Sequence, residues 1–203
     1  MKSLILASGF GTRLYPLTIT EAKCLLPYKG KPIISHVVDK IPQDIDILVN
    51  TNKKFEADFR RWQNTLSREI TLCTEPIFSE EQSWGAIGSI DYWARNKNII
   101  DDLLIVAGDK SKATQFGVVK LDGNRIVEFD EKPAVPKSSL IATACWIVPP
   151  RIFPILSEFC SEGKKDNLGS FIAYLISRDE VYAYTFSELW LDIGSVDAYR
   201  STQ

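Results

Sequence analysis

Apolar and polar positions along the first half of the chain switch between two periods. Residues 2–6 form a short apolar run of buried-strand length, and residues 33–41 then carry apolar side chains at helical spacing behind Pro32. Residues 44–50 read as a second strand, 55–66 as an amphipathic helix and 69–73 as a third strand. A helix over 84–95 opens at Gly85, and 103–107 is an unbroken apolar strand. This β-α-β-α-β-α-β order predicts an α/β fold, a mostly parallel sheet with helices on both faces. Ligands of such sheets sit at the carboxyl ends of the strands, where Gly9 to Arg13 and Gly108-Asp109 fall.

Beyond Lys110 the pattern changes. Residues 116–121 and 125–129 flank Asp122-Gly123-Asn124 and predict a β-hairpin turning at Asp-Gly. Strands are expected at 139–148 and 181–186, and helices at 150–159, 168–177 and 196–201. No repeat, low-complexity tract or linker interrupts the 203 residues, so one domain over 1–203 is expected.

Composition removes several functions. Lysine and arginine total 24 against 26 acidic residues, a net charge of −2, without the basic excess of a general nucleic-acid binder. Cys24, Cys73, Cys145 and Cys160 form no C-x-x-C pair, which favours buried reduced thiols over zinc or redox chemistry. The opening apolar run is shorter than a signal-peptide core, and no run approaches the roughly 18 apolar residues of a membrane span. The expectation is a soluble cytoplasmic protein with neither nucleic-acid nor membrane partners.

The stretch with most chemistry follows the first strand. Gly9 and Gly11 permit positive φ and close approach of backbone N–H groups to an anion. Thr12 adds a hydroxyl, Arg13 a planar fork for two phosphate oxygens, and Lys23 a mobile point charge. A dinucleotide fingerprint would need glycine where Leu14 stands, and the Gly-Lys-Ser/Thr of a P-loop is missing. A bare G-x-G is more often an ordinary turn than a phosphate site.

The longer string decides. LASGFGTRLYPLT (6–18) followed by EAKCLLPYKGKP (21–32) resembles the signature of the sugar-phosphate nucleotidyltransferases, LAGGxGTRLxPLT…PKxLLPVxxKP. It departs at Ser8 (usually Gly), Ala22 (usually Pro) and Tyr28 (usually Val). The resemblance implies a Rossmann-like nucleotide-diphospho-sugar transferase fold with a hairpin elaboration. Its nucleotide half would be about residues 1–110 and its sugar-phosphate half about 111–203. Leu6, Ala7, Ser8, Gly9, Gly11, Thr12, Arg13 and Lys23 would line the nucleotide. Gly85, in a stretch resembling P-L-G-T-A-G-A, would let the base stack on backbone, whereas Trp84 is expected in the core. Glu75-Pro76 lies further upstream of Gly85 than usual, which leaves open the side chain that reads the base edge.

Further matches extend the implied site. Gly108-Asp109 and Trp190-Leu191-Asp192-Ile193-Gly194-Ser195 resemble the two metal-bearing segments of the family, so Asp109 and Asp192 would hold Mg²⁺. As a lone residue, Asp109 would equally suit a helix cap or turn. Val127 to Pro133 resembles V-x-x-F-x-E-K-P, in which Glu131 would accept from sugar hydroxyls and Lys132 would pair with the sugar-1-phosphate. Gly117 would leave room for the sugar, with a strand bulge as the plainer alternative, and Thr143 lies in a segment lining that pocket. His36 is expected to be structural. The implied reaction is Mg²⁺-dependent transfer of a nucleotidyl group from a nucleoside triphosphate to a sugar-1-phosphate, with Arg13, Lys23, Asp109 and Asp192 as its catalytic set. Alternatives are cytidylyl transfer to a non-sugar phosphate such as phosphocholine, and a non-catalytic nucleotide-sensing subunit. A homo-oligomer is compatible with the sequence. Only residues 110–115 separate Gly-Asp from the segment around Gly117, where the family has several dozen, so a compact member is expected.

Overall fold

The computed structural model describes residues 1–107, 117–143, 145–163, 167–187 and 195–201. The opening apolar run is β1 (Lys2–Leu6), the central strand of a five-stranded sheet. A small hairpin of β2 (Pro27–Tyr28) and β3 (Lys31–Pro32) leads into α1 (Ile33–Val38). Then come β4 (Asp46–Asn52), α2 (Glu56–Gln63), β5 (Thr71–Glu75), α3 (Gly85–Asn96) and β6 (Leu103–Ala107). The second half contains the hairpin β7 (Gly117–Asp122) and β8 (Arg125–Glu131), then β9 (Cys145–Val148), α4 (Phe153–Ser161), α5 (Leu168–Leu175) and α6 (Val196–Arg200).

The strand order is β5-β4-β1-β6-β9, all parallel except β9, which runs antiparallel to β6. Successive side chains of a strand face opposite sides, and here both sides are covered. Ile5, Ile47 and Val49 meet Ile34 and Val38 of α1 and Phe59 and Trp62 of α2. Leu4, Leu48 and Ile105 meet Ile87, Ile90 and Trp93 of α3, with Leu156, Phe159 and Phe171 behind them. The predicted α/β architecture is therefore realised. Leu6 pairs with Asn50 on one side and Ala107 on the other, so the strand order reverses between β1 and β6. Their carboxyl ends form the crevice where such sheets take ligands.

Four sequence expectations need correction. β4 and β5 begin two residues later than predicted and run on through Asn52 and Glu75. Residues 44–45 stay in a turn whose carbonyls are filled by the Arg68 guanidinium, which reaches Ile41 O and Pro42 O at 2.6 Å and also Ile45 O. The predicted strand 139–148 is two pieces with different partners. Ile141 bridges Val118 of the hairpin, while β9 joins the main sheet. The predicted strand 181–186 is reduced to one bridge, Arg125 to Tyr182, with Val181 O and Asn124 O each accepting an amide at 2.8 Å. The hairpin loop is Gly123-Asn124, not Asp-Gly, because Asp122 still pairs with Arg125 and Gly123 carries φ +59°.

α6 is a five-residue helix that returns to the start of the chain. Tyr199 packs with Leu14 and Leu26, and its hydroxyl donates to Pro27 O at 2.7 Å. No helix among the described residues is long and apolar enough to cross a membrane.

Candidate active site

The segment after β1 is held from three directions. Ala7 N donates to Asn50 Oδ1 at 2.6 Å, and Asn52 Nδ2 donates to Ser8 O at 2.8 Å. Phe10, between the two glycines, turns inward and is 3% exposed, with its ring 6.3 Å from that of Phe55. Lys54 Nζ covers this aromatic pair, 4.7 Å from the Phe55 ring centroid and 5.9 Å from that of Phe10. The buried Phe10 ring thus works as a peg, leaving backbone to face the crevice.

Gly11 is the conformational key to the loop. Its φ is +65°, a region that side chains strain to occupy, and it precedes the short helical turn Thr12–Leu14. Gly11 O accepts from Thr18 Oγ1 at 2.7 Å and from Leu14 N at 2.8 Å. A Cβ at Gly11 would lie 3.2 Å from both Lys23 Cβ and Thr18 Cγ2. The absence of that carbon lets the Lys23 stem pack directly on the loop. Lys23 is 4% exposed on the short turn Lys23–Leu25, while Thr12 and Arg13 are exposed. Both expected cations are therefore positioned by one loop, and Gly9 beside them has open space where a Cβ would stand.

A buried polar cluster beneath this loop was not found from the sequence. Glu75, the last residue of β5, is 0% exposed, and its Oε1 accepts from Asn50 Nδ2 at 2.7 Å. The same Nδ2 lies 3.2 Å from Ser8 Oγ. Burial pushes the Glu75 carboxyl up from its ordinary range, opposed by hydrogen bonds from Ser89, Asn50, Ser8 and Trp93. By strict geometry, however, Glu75 Oε2 and Trp93 Nε1 lack partners, so those last contacts are loose. The one advance signal was Ser8 itself, a hydroxyl where the resembled family has glycine. With its side chain sealed in, Glu75 offers no edge for reading a base.

Gly85 opens α3 with φ +71°, and its amide donates to Ser83 Oγ at 3.2 Å. Trp84 packs against the core with its ring 4.5 Å from that of Tyr92, as expected of a structural residue. His36 also has a structural setting, with Nε2 2.8 Å from Tyr28 O and its ring edge-on to Tyr28.

On the hairpin, Gly117 pairs in register with Glu131. A Cβ at Gly117 would fall 1.9 Å from Phe129 Cζ, and one at Gly169 of α5 would fall 1.9 Å from Glu131 Oε2. Two glycines thus seat Phe129 and Glu131 between β7 and α5. The space over Gly117 holds an aromatic ring. Lys132 follows with φ +47°, a left-handed conformation without glycine's freedom, and its Nζ lies 3.7 Å from Glu131 Oε1. Thr143 is half-buried just past the segment that pairs with β7.

Asp109 and Asp192, with Gly108, Lys110 and Trp190, lie outside the described residues. Ala107 pairs with Leu6, and α6 begins at Val196, which packs with Leu14 and Leu26. Among the described residues, no group of three or more His, Cys, Asp or Glu side chains could hold a metal ion. Cys24, Cys73 and Cys160 are buried as expected, and burial raises the Cys73 thiol to about 11. Cys145 departs from that expectation, exposed at the start of an edge strand.

Comparison with known proteins finds similar sequences and folds. The bifunctional protein GlmU of Methanococcus aeolicus is 30% identical over 212 residues, which covers 96% of this chain and 51% of the relative. The mannose-1-phosphate guanyltransferase of Debaryomyces hansenii is 24% identical, covering 99% of this chain and 63% of the relative. The chain thus spans only about half to under two thirds of the length of these relatives. In fold, it is similar to the inositol-1-phosphate CTP transferase from T. maritima, with a TM-score of 0.79, 14% identity, and coverage of 97% of this chain and 90% of that one. The family description "Nucleotidyl transferase" matches residues 2–109 and 89–203, and the first match stops at Asp109, where the sequence is short. With both halves matched, the chain belongs to the nucleotidyl transferase family.

Proposed function

We propose that this chain transfers a nucleotidyl group from a nucleoside triphosphate to a sugar-1-phosphate, giving a nucleoside-diphosphate sugar and pyrophosphate. Residues 1–203 act as one domain, with the nucleotide held by about 1–110 and the sugar phosphate by about 111–203. The observation that carries the reading is the loop at the strand-order reversal, where Gly11 at φ +65° packs against the stem of Lys23 beside Arg13. A positive-φ glycine, successive backbone amides and two cations at the switch point suit a polyphosphate. The names of the relatives, a guanyltransferase acting on mannose-1-phosphate among them, support a sugar-1-phosphate as acceptor.

The chemistry follows from charge. The acceptor phosphate has its second pKa near about 6, so its attacking oxygen is ionised at neutral pH without a general base. That oxygen bonds to the α-phosphorus as the bond to the bridging oxygen of the β-phosphate breaks, and pyrophosphate leaves with the electron pair. The protein's task is to align two mutually repelling polyanions and neutralise the charge that develops. Leu6 and Ala7 carry the chain to the nucleotide, Ser8, Gly9 and Gly11 present backbone donors and Thr12 a hydroxyl, Arg13 grips the β- and γ-phosphates, and Lys23 faces the α-phosphate. Gly85 leaves the base a backbone surface. On the acceptor side, Glu131 takes hydrogen bonds from sugar hydroxyls and Lys132 meets the acceptor phosphate, with Thr143 lining the pocket and Gly117 seating the Phe129 ring behind it. The strained φ of Lys132 supports this, because such conformations concentrate at functional sites. Asp109 and Asp192 form a hard, all-oxygen donor pair that suits Mg²⁺, which when bound would offset negative charge on the reacting phosphate.

Pyrophosphate release, measured over four nucleoside triphosphates and a panel of sugar-1-phosphates with Mg²⁺, tests this. One pair is expected to turn over, and Asp109→Ala and Asp192→Ala to lower its kcat by about 100-fold or more. Nucleotide binding with no release from any pair contradicts the transfer reading. Unchanged rates in both variants contradict the metal assignment.

A further inference from the structure

A fully buried carboxylate beneath a ligand loop is expensive to keep, because removing an ionised group from water costs several kcal/mol unless donors surround it. Glu75 is such a group, and the proposed reaction assigns it no part. Its surroundings suggest why it is there. Ala7 N–H can only donate, so Asn50 must present Oδ1 to it, at 2.6 Å. The Asn50 amide nitrogen must then point to Glu75 Oε1 at 2.7 Å and Ser8 Oγ at 3.2 Å. An Asn50 flip would set amide donors against Ala7 N–H and oxygen against the carboxylate. Both ends of the relay therefore enforce one orientation.

The other side of the carboxylate meets α3. Ser89 carries one hydroxyl proton, which it can give to Gly85 O at 2.9 Å or to Glu75. Gly85 is the φ +71° residue that opens the helix. Glu75 Oε2 and Trp93 Nε1, both buried and without well-formed partners, lie on this same side, so the cluster has slack there and is taut toward the loop.

We propose that Glu75 is a positioning residue of the nucleotide site: acting through Asn50, which holds the Ala7 amide, and through Ser8, it fixes where Ser8 to Gly11 present their amides, and through Ser89 it reaches the opening turns of α3. This rests on the reading of that loop as the nucleotide site. Ser8 thereby gains a purpose, as the hydroxyl that joins the loop to the buried carboxylate. The substrate is touched by the loop and by Gly85, and Glu75 sets the spacing between them.

Glu75→Gln tests the idea in the full chain. Glutamine keeps the shape and can still accept from Asn50, but its amide meets the Ser89 and Trp93 donors. Two quantities are read: hydrogen exchange at the amides of residues 7–11, and the equilibrium dissociation constant of each nucleoside triphosphate. The expected result is about tenfold faster exchange at residues 7–11 with exchange in α2 and α5 unchanged, and about tenfold weaker nucleotide binding, equivalent to ~1.4 kcal/mol. Ser8→Gly combined with Glu75→Gln should weaken binding no further than Glu75→Gln alone. Glu56→Gln, which alters a half-buried carboxylate on α2 paired with Lys53 and Arg60, should change neither quantity. If Glu75→Gln does not fold, Ser89→Ala keeps the carboxylate and should give about a threefold effect on both. Loop exchange and affinity within twofold of wild type overturn the proposal, as do additive effects of the Ser8 and Glu75 changes. Should the wild-type chain bind no nucleoside triphosphate, the functional reading fails, while loop exchange still decides whether Glu75 positions the loop.

Discussion

Gly117 and Phe129 show how much the hairpin rests on single atoms. A methyl group at 117 would stand 1.9 Å from Phe129 Cζ, well inside contact distance, so ring or strand must move. Overpacking of this kind typically costs about 1–3 kcal/mol. Gly117→Ala should therefore lower stability in urea unfolding by about 2 kcal/mol, and adding Phe129→Leu should not lower it further, since the smaller side chain vacates the collision. Simple additivity of the two losses would show that the ring is not what glycine accommodates. At this scale the sequence was legible where a residue's own geometry carries its role. Gly11, Arg13 and Lys23 could be named as candidates from their own chemistry, whereas Lys132 is named only through the resemblance of residues 127–133 to a family motif. Glu75 could not be named, because its role depends on Asn50 and Ser8, partners 25 and 67 positions away in the chain. In sequence it is simply a glutamate before a proline.

Among the elements, α6 has the most leverage for its size. Five residues form barely more than one turn, too short to be stable alone given the cost of helix nucleation. Its position rests on Tyr199, Leu14 and Leu26 and on the hydrogen bond to Pro27 O. Tyr199→Phe should cost about 1 kcal/mol in thermal or urea unfolding, the usual net value of one hydrogen bond. Tyr199→Ala should cost about 3 kcal/mol or more by also emptying the packed site. No loss from either would mean that the end of the chain is not docked on the Gly11–Lys23 segment. Most elements could be read from periodicity, because the sheet buries both faces and its strands are continuous apolar runs. The failures fell where pairing partners are distant or the strand ends are polar. Thr51-Asn52 and Thr74-Glu75 do not look like strand, yet the sheet continues through them and places Asn52 and Glu75 under the loop. Residues 139–148 look like one strand, yet two sheets divide them.

For the whole molecule, the claim is that one crevice, at the reversal of strand order, serves two phosphate-bearing substrates. The loop after β1 and the turn carrying Lys23 form one wall, in direct contact through Gly11. β6 adjoins β1 through the pairing of Ala107 with Leu6, and α6 docks on Leu14 and Leu26. Glu131, the last residue of β8, is seated with Phe129 against Gly169, and Lys132 follows it in the chain. Membership of the nucleotidyl transferase family was legible because its signature is local and long. Which base and sugar are used was not, since both depend on pocket shape. The most direct measurement follows the α-phosphorus itself, with triphosphate labelled at that position, a sugar-1-phosphate and Mg²⁺. The account predicts that the label moves into a phosphatase-resistant nucleoside-diphosphate sugar, in one-to-one ratio with unlabelled pyrophosphate, and that omitting the sugar phosphate abolishes both. Label released as free nucleoside monophosphate at the same rate with or without the sugar phosphate would contradict it.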